Sequence, residues 1–148
     1  MKFDWMEQFA DPYYSTPGGK GVFFSGIVLG MIARGQIKSG SGIAEAPMYK
    51  QIVFGRMKRR DLQRHLSRIP DLIKAYQINY DYYLNQLWFE ASENLIQDDQ
   101  EMGVDGNFAF SLAFVNASEY FWMIFKKEKP LEGNQTDQVL DTIEGGNE

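Results

Sequence analysis

The chain has 148 residues, 44% of them apolar and 15% aromatic, with no cysteine and a net charge of −5. This length suits one domain around one hydrophobic core, and the composition excludes a disordered polymer and a membrane protein. The lack of thiols excludes a disulfide framework and any thiolate metal site, and the negative total alone argues against a nucleic-acid partner.

Met1 to Ala10 carries Asp4 and Glu7, unlike the basic-then-apolar layout of a signal peptide, so the expected compartment is the cytoplasm. Residues 1–18 form an aromatic N-terminal segment with Phe3, Trp5, Met6, Phe9, Tyr13 and Tyr14, expected to dock against something. Ser15-Thr16-Pro17-Gly18-Gly19 reads as a punctuating loop, and Val22 to Lys38 as the first helix, with Phe23, Ile27, Met31 and Arg34 one turn apart. Its uncharged run, Val22 to Ala33, falls short of the ~20 residues a membrane span needs. Gly26 and Gly30 on this helix predict a close approach by a neighbouring helix, because each costs up to ~1 kcal/mol of helix propensity that tight packing can offset.

Ile43 to Gly55 predicts a long connection between the first two helices, of the kind that often carries function. The second helix is expected over Lys58 to Gln77, with Leu62, Leu66, Ile69, Ile73 and Tyr76 on one face and Arg60, Arg64 and Arg68 opposite. Pro70 removes a backbone donor and sets up a split, with Ser67 as the expected cap of a half beginning at Ile69. A third helix is predicted from Tyr80 to Gln97, then an acidic loop, then a fourth helix from Asn107 to Lys126 capped by Asp105. The fourth is apolar almost all round, which predicts a central position or cover by another subunit. The expected fold is an all-α, single-domain bundle of four to five helices over residues 19–129, followed by an acidic tail, 130–148, whose composition predicts disorder.

Catalytic chemistry is poorly represented. Hydrolytic sites need a nucleophile, a base and a group to orient the base, and His65, the single histidine, lies in an arginine-rich helix, where a surface residue or phosphate neighbour is the expectation. Asp98, Asp99 and Glu101 offer oxygen ligands without the regular alternation of a calcium loop, so a solvated acidic turn is expected rather than a metal site. Pro17-Gly18-Gly19-Lys20-Gly21 lacks the preceding strand, the glycine spacing and the Ser or Thr of a phosphate-binding loop. The expectation is a non-enzyme without cofactor or metal.

The positive signal is segregated charge. Between Arg34 and Lys74 ten basic residues face three acids, a net +7, which leaves −12 on the rest of the chain. The candidate backbone-binding residues are Arg34, Gln36, Lys38, Lys50, Arg56, Lys58, Arg59, Arg60, Arg64 and Arg68. Arg56, Arg60, Arg64 and Arg68 recur at i, i+4. One guanidinium per ~5.4 Å helical turn loosely matches the ~6 to 7 Å spacing of phosphates, whose oxygens an arginine fork can engage in pairs. A solvated helix face gives a similar pattern, but the scarcity of balancing acids and the cations at a helix N-terminus weigh against it. Nothing in the block suggests base readout.

The order of three short segments and one aromatic helix resembles a known family. Phe23-Phe24-Ser25-Gly26-Ile27-Val28-Leu29-Gly30-Met31-Ile32-Ala33-Arg34-Gly35-Gln36, then Ile52-Val53-Phe54-Gly55-Arg56-Met57, then Asp61-Leu62-Gln63-Arg64, then Phe108 to Phe121 are similar to the C-terminal region of the large subunit of type I-B CRISPR Cascade complexes. The likeness covers residues 20–126. In related systems that region is also made separately as the small subunit, and a free chain beginning at Met1 fits that arrangement. The resemblance implies a non-nuclease helical bundle, present in several copies beside the Cascade backbone and large subunits. It would lie against CRISPR RNA paired to target DNA and against the displaced strand. The implied contacts are Arg34, Gln36, Arg56, Arg59, Arg60 and Arg64. The acidic tail departs from what a nucleic-acid clamp would carry. The alternative is an adaptor whose basic face meets an acidic protein.

Overall fold

Thr16 and Pro17 begin the longest helix. In the computed structural model, which describes residues 1–125, the Thr16 hydroxyl accepts from Gly19 N–H at 3.0 Å. Pro17, with its fixed φ, opens α1 (Pro17–Gly35). Three of the five residues of the expected Ser15–Gly19 loop are therefore helix. The cause is tertiary: Asp98 Oδ2 accepts Gly18 N–H at 3.1 Å, satisfying a donor that the helix start leaves open.

Six more helices follow among the described residues: α2 (Pro47–Gln51), α3 (Arg59–Leu66), α4 (Ile69–Ala75), α5 (Asp81–Gln97), α6 (Gly103–Val115) and α7 (Ala117–Phe125). Short 3-10 turns occupy Asp4–Gln8, Pro12–Ser15 and Ile43–Glu45, and no strand is present among these residues. The fold is all-α, as expected. The number of helices exceeds the expected four to five because two predicted helices divide and the predicted connection contains α2. Residues 5–121 form one compact unit, and, among the described residues, Met1–Asp4 with Trp122–Phe125 form another, within which Lys2 N–H donates to Ile124 O at 2.7 Å. The expected tail, 130–148, lies outside the described residues.

In the larger unit α1 is the central helix. Every residue from Gly21 to Ala33 is buried, and α5 and α6 pack along its length. Each of Phe23, Ile27, Leu29 and Ile32 contributes about 1.5–3 kcal/mol of hydrophobic stabilisation when fully covered, which outweighs the helix-propensity cost of its glycines. Gly26 and Gly30 mark the place where α6 comes closest. A Cβ on Gly26 would sit 2.7 Å from Phe110 O, and one on Gly30 would sit 2.6 Å from Phe114 O.

The N-terminal aromatics do dock. Within the larger unit, Trp5 stacks on Tyr120 with centroids 5.3 Å apart, while Phe9 and Tyr14 each meet Phe23 edge-on at 5.5 Å. Of the two positions expected for the fourth helix, central or covered by another subunit, the structure overturns the first. This helix is not the central one, since Val104, Phe108 and Val115 of α6 are exposed while Ala109, Phe110, Ala113 and Phe114 are buried. It also starts earlier, at Gly103, so that Asp105 lies in the first turn instead of capping it.

Both helix breaks have identifiable chemistry. Pro70 has no N–H to give the Leu66 carbonyl, and its ring crowds that carbonyl. Trp88 Nε1 donates to Leu66 O at 3.0 Å instead. Ser67 is not the cap of α4: its hydroxyl donates back to Arg64 O at 2.7 Å. At the other break, Asn116 leaves helical geometry and Arg34 supplies the donors that a continued turn would have supplied. Its guanidinium reaches Phe114 O at 3.2 Å and Val115 O at 2.9 Å.

Candidate nucleic-acid interface

The interface begins with a segment that cannot be helical. Asn107, buried in α6, grips the backbone of Met57 from both sides: Met57 N–H donates to its Oδ1 at 2.7 Å, and its Nδ2 donates to Met57 O at 3.1 Å. With both polar groups of Met57 taken, residues 56–58 stay outside the helix, Lys58 is extended and α3 starts only at Arg59. Asp61 accepts from Lys58 N–H at 3.1 Å and so caps that start.

On α3 the wheel separates the cations. At about 100° per residue, Arg60 and Arg64 lie about 40° apart and roughly 120–160° away from Leu62 and Leu66. Both arginines are exposed, whereas Leu62 and Leu66 are buried. Arg59 falls within about 20° of Leu66 on the same wheel and turns inward. Its Nη1 donates to Asp98 O at 2.6 Å and Gln100 O at 3.2 Å, and its Nη2 donates to Leu95 O. Arg59 thus closes the C-terminal end of α5, while its own N–H donates to Glu101 Oε1 at 3.1 Å.

The ten candidate side chains divide into three groups. Arg34, Gln36 and Arg59 are engaged internally: Arg34 holds Gly30 O at 3.0 Å besides the two α6 carbonyls, and Gln36 Oε1 accepts Met48 N–H at 2.8 Å, starting α2. Arg64 pairs with Asp61 at 3.1 Å, and Arg68 donates to Gln51 Oε1 at 2.9 Å, which brings the end of α2, and with it Lys50, beside the α3–α4 junction. Lys38, Lys50, Arg56, Lys58 and Arg60 are exposed, and the side chains of Arg56 and Arg60 make no hydrogen bond or ion pair among the described residues. Arg56, Arg60, Arg64 and Arg68 do not form one helical ladder. Only Arg60 and Arg64 share a helix; Arg56 precedes α3 and Arg68 follows it.

Two titrating groups respond to this field. The Lys58 backbone N–H foremost, with Arg64 assisting, holds the Asp61 carboxyl below its ordinary value. Burial first, then Arg64 and Arg68, pushes the His65 imidazole down. His65 is 6% exposed, not the surface residue or phosphate neighbour expected. It sits on the flank of α3 nearer the core, and its Nδ1 is buried with no partner among the described residues. The acidic loop is solvent-exposed at Asp99, Gln100 and Glu101, as expected of a solvated turn, but Asp98 and Glu101 also each accept from the first turn of a helix. Among the described residues no group of three or more His, Asp or Glu is placed to hold a metal ion.

The backbone-holding roles of Asn107 and Glu101 escaped the sequence reading, in which the first starts a helix and the second is an acid of the loop. An amide immediately ahead of the apolar run Phe108 to Phe121 was the available signal, because a buried amide requires backbone or side-chain partners. Between Asn107, Glu101 and the segment ahead of α3 lies a hollow of about 420 Å³, also lined by Gly55, Arg56, Met57, Lys58, Gly103 and Val104. No single helix among the described residues is long and apolar enough to cross a membrane.

Comparison with known proteins agrees with a CRISPR assignment. No curated protein and no solved structure matches the chain. A family described as the CRISPR-associated protein TM1802 (cas_TM1802) C-terminal domain matches residues 2–128, a span that includes α1, the Asn107 clamp and every candidate cation. The chain belongs to this CRISPR-associated family of TM1802 C-terminal domains, which ties it to CRISPR defence.

Proposed function

We propose that the chain acts as a non-catalytic small subunit of a CRISPR Cascade complex, of the type I-B kind. It would bind the nucleic-acid backbone in the cytoplasm and stabilise the R-loop formed by guide RNA and target DNA. The observation that carries this reading is the exposed cationic surface of Arg56, Lys58, Arg60 and Arg64, continued by Arg68 and Lys50, with Asp61 the carboxylate paired within it. Family membership supports the setting. Sequence choice would rest with the guide, as in other RNA-guided effectors, while the protein holds phosphates. The partners under this reading are CRISPR RNA, target DNA, the Cascade backbone and large subunits, and further copies of the chain.

The test is a salt titration of binding to a fluorescent single strand. If ~4 phosphates are neutralised, log affinity falls with log salt at a slope near −3. Arg60→Glu with Arg64→Glu abolishes binding. Unchanged affinity in that double variant would refute the backbone role.

A second reading has its own observation. Tyr82, Phe89 and Ile96, seven residues apart on α5, are 67%, 62% and 77% exposed. An apolar seam of this kind suits contact with other protein subunits, and under an adaptor reading it carries the binding without nucleic acid. Co-purification of the double variant with Cascade proteins, together with wild-type protein that binds no strand at any salt, would favour the adaptor.

A further inference from the structure

Phe108 and Val104 of α6 are 66% and 87% exposed. They stand one turn apart on the same face, since i and i+4 are neighbours on a helix. Val104 also lines the hollow that Arg56 and Lys58 border, so an apolar strip with an aromatic ring runs out from a cavity flanked by two cations. At about 420 Å³ the hollow falls in the ~300–1,000 Å³ range of small-ligand clefts. Its floor is rigid, because Asn107 fixes Met57 by two hydrogen bonds and is itself tied to Gly103 O at 2.9 Å. Its rim is bare. Gly55 and Gly103 have φ of +85° and +58°, a region that disfavours other residues, and nothing lies within 4 Å of where a Cβ would stand on either.

We propose that this hollow, with Phe108 at its edge, is a site for one unpaired nucleotide: the base stacks on Phe108 and Val104 while Arg56 and Lys58 take the flanking phosphates. The inference rests on the backbone-binding reading and deepens it by naming single-stranded nucleic acid as the occupant. Paired bases in a duplex keep their faces covered by stacking, so an exposed ring beside a phosphate track selects a strand whose bases are free. Charge complementarity favours a polyanion over an apolar protein segment here. Glu101, the acid among the lining residues, already has Oε1 engaged by the Arg59 N–H. Stacking tolerates any base, which agrees with the lack of a base-reading pattern.

The test compares two strands of equal length and charge, an oligothymidylate and its fully abasic counterpart, titrated against the full-length chain. The wild type is expected to bind the base-bearing strand about tenfold or more tighter than the abasic one, the scale of base–aromatic stacking. Phe108→Ala removes that preference but leaves abasic-strand affinity and the salt slope unchanged, and Phe108→Tyr, which keeps a ring, retains it. Equal wild-type affinity for both strands overturns the stacking site and leaves the backbone role standing. Failure to bind either strand overturns both. A Phe108→Ala variant that keeps the preference also overturns the proposal, and if it loses co-purification with Cascade proteins as well, the strip is a protein contact.

Discussion

Helices α1 and α3 use their sequences differently. In α1 nearly every side chain is enclosed, so a residue there is specified by the space left between α5 and α6, down to the absence of a Cβ at Gly26 and Gly30. In α3 only Leu62, His65 and Leu66 are enclosed, and Arg60 and Arg64 face solvent, where the fold places no steric demand on them. Information about folding is thus concentrated in the first helix. Under the proposed function, information about partners is concentrated on the outer face of the other.

Substitutions can break this contrast or sharpen it. The largest effect is expected for Gly30→Val. Its Cβ would meet Phe114 O and Ala117 Cβ, each at 2.6 Å, and overpacking of that kind costs about 3 kcal/mol. Urea unfolding should show a much lower midpoint, and a wild-type midpoint would mean that α6 does not sit where described. Next is Arg34→Met, which keeps an apolar stem but strips donors from the carbonyls of Gly30, Phe114 and Val115. A loss of about 2 kcal/mol is expected, and a smaller one for Arg34→Lys, because bonds to charged donors are the stronger kind.

His65 gives a pH-dependent effect. Burial, with Arg64 and Arg68 behind it, holds the folded imidazole below its ordinary value of 6.5. The unfolded chain therefore takes up a proton before the folded one does. Stability from this group is retained above that range and falls as the pH drops below about 6.5. Unfolding of His65→Leu, measured from neutral pH to about pH 5, should show a shallower acid slope than wild type. An identical slope would show that the imidazole titrates alike in both states. The smallest effect on folding belongs to Arg60→Glu with Arg64→Glu, whose unfolding midpoint should match wild type even as strand binding disappears. A large destabilisation there would erase the distinction between the two helices.

The position of Arg59 shows where sequence reading reaches its limit. It stands in an unbroken basic run with Lys58 and Arg60, and composition cannot distinguish the three. The wheel can: once α3 is known to start at Arg59, that side chain points the way Leu66 does. The start itself depends on Asn107 holding Met57 from 50 residues away. Arg34 behaves in the same manner, being a helix-end cation by sequence and a cap for a different helix by structure.

The periodicity of apolar residues determined by itself that this chain is helical, where α5 runs, where the body of α1 lies though not its start, and that Pro70 divides a helix, because helix pattern and proline geometry are local properties. Segregation of charge likewise marked the stretch from Arg34 to Arg68. Only the tertiary structure decided which of those cations remain available, that α1 and not the aromatic helix is central, and that a hollow opens beside Val104. Those outcomes depend on which unsatisfied carbonyls and donors meet across the fold, and a hydrogen bond between distant residues leaves no period in the sequence.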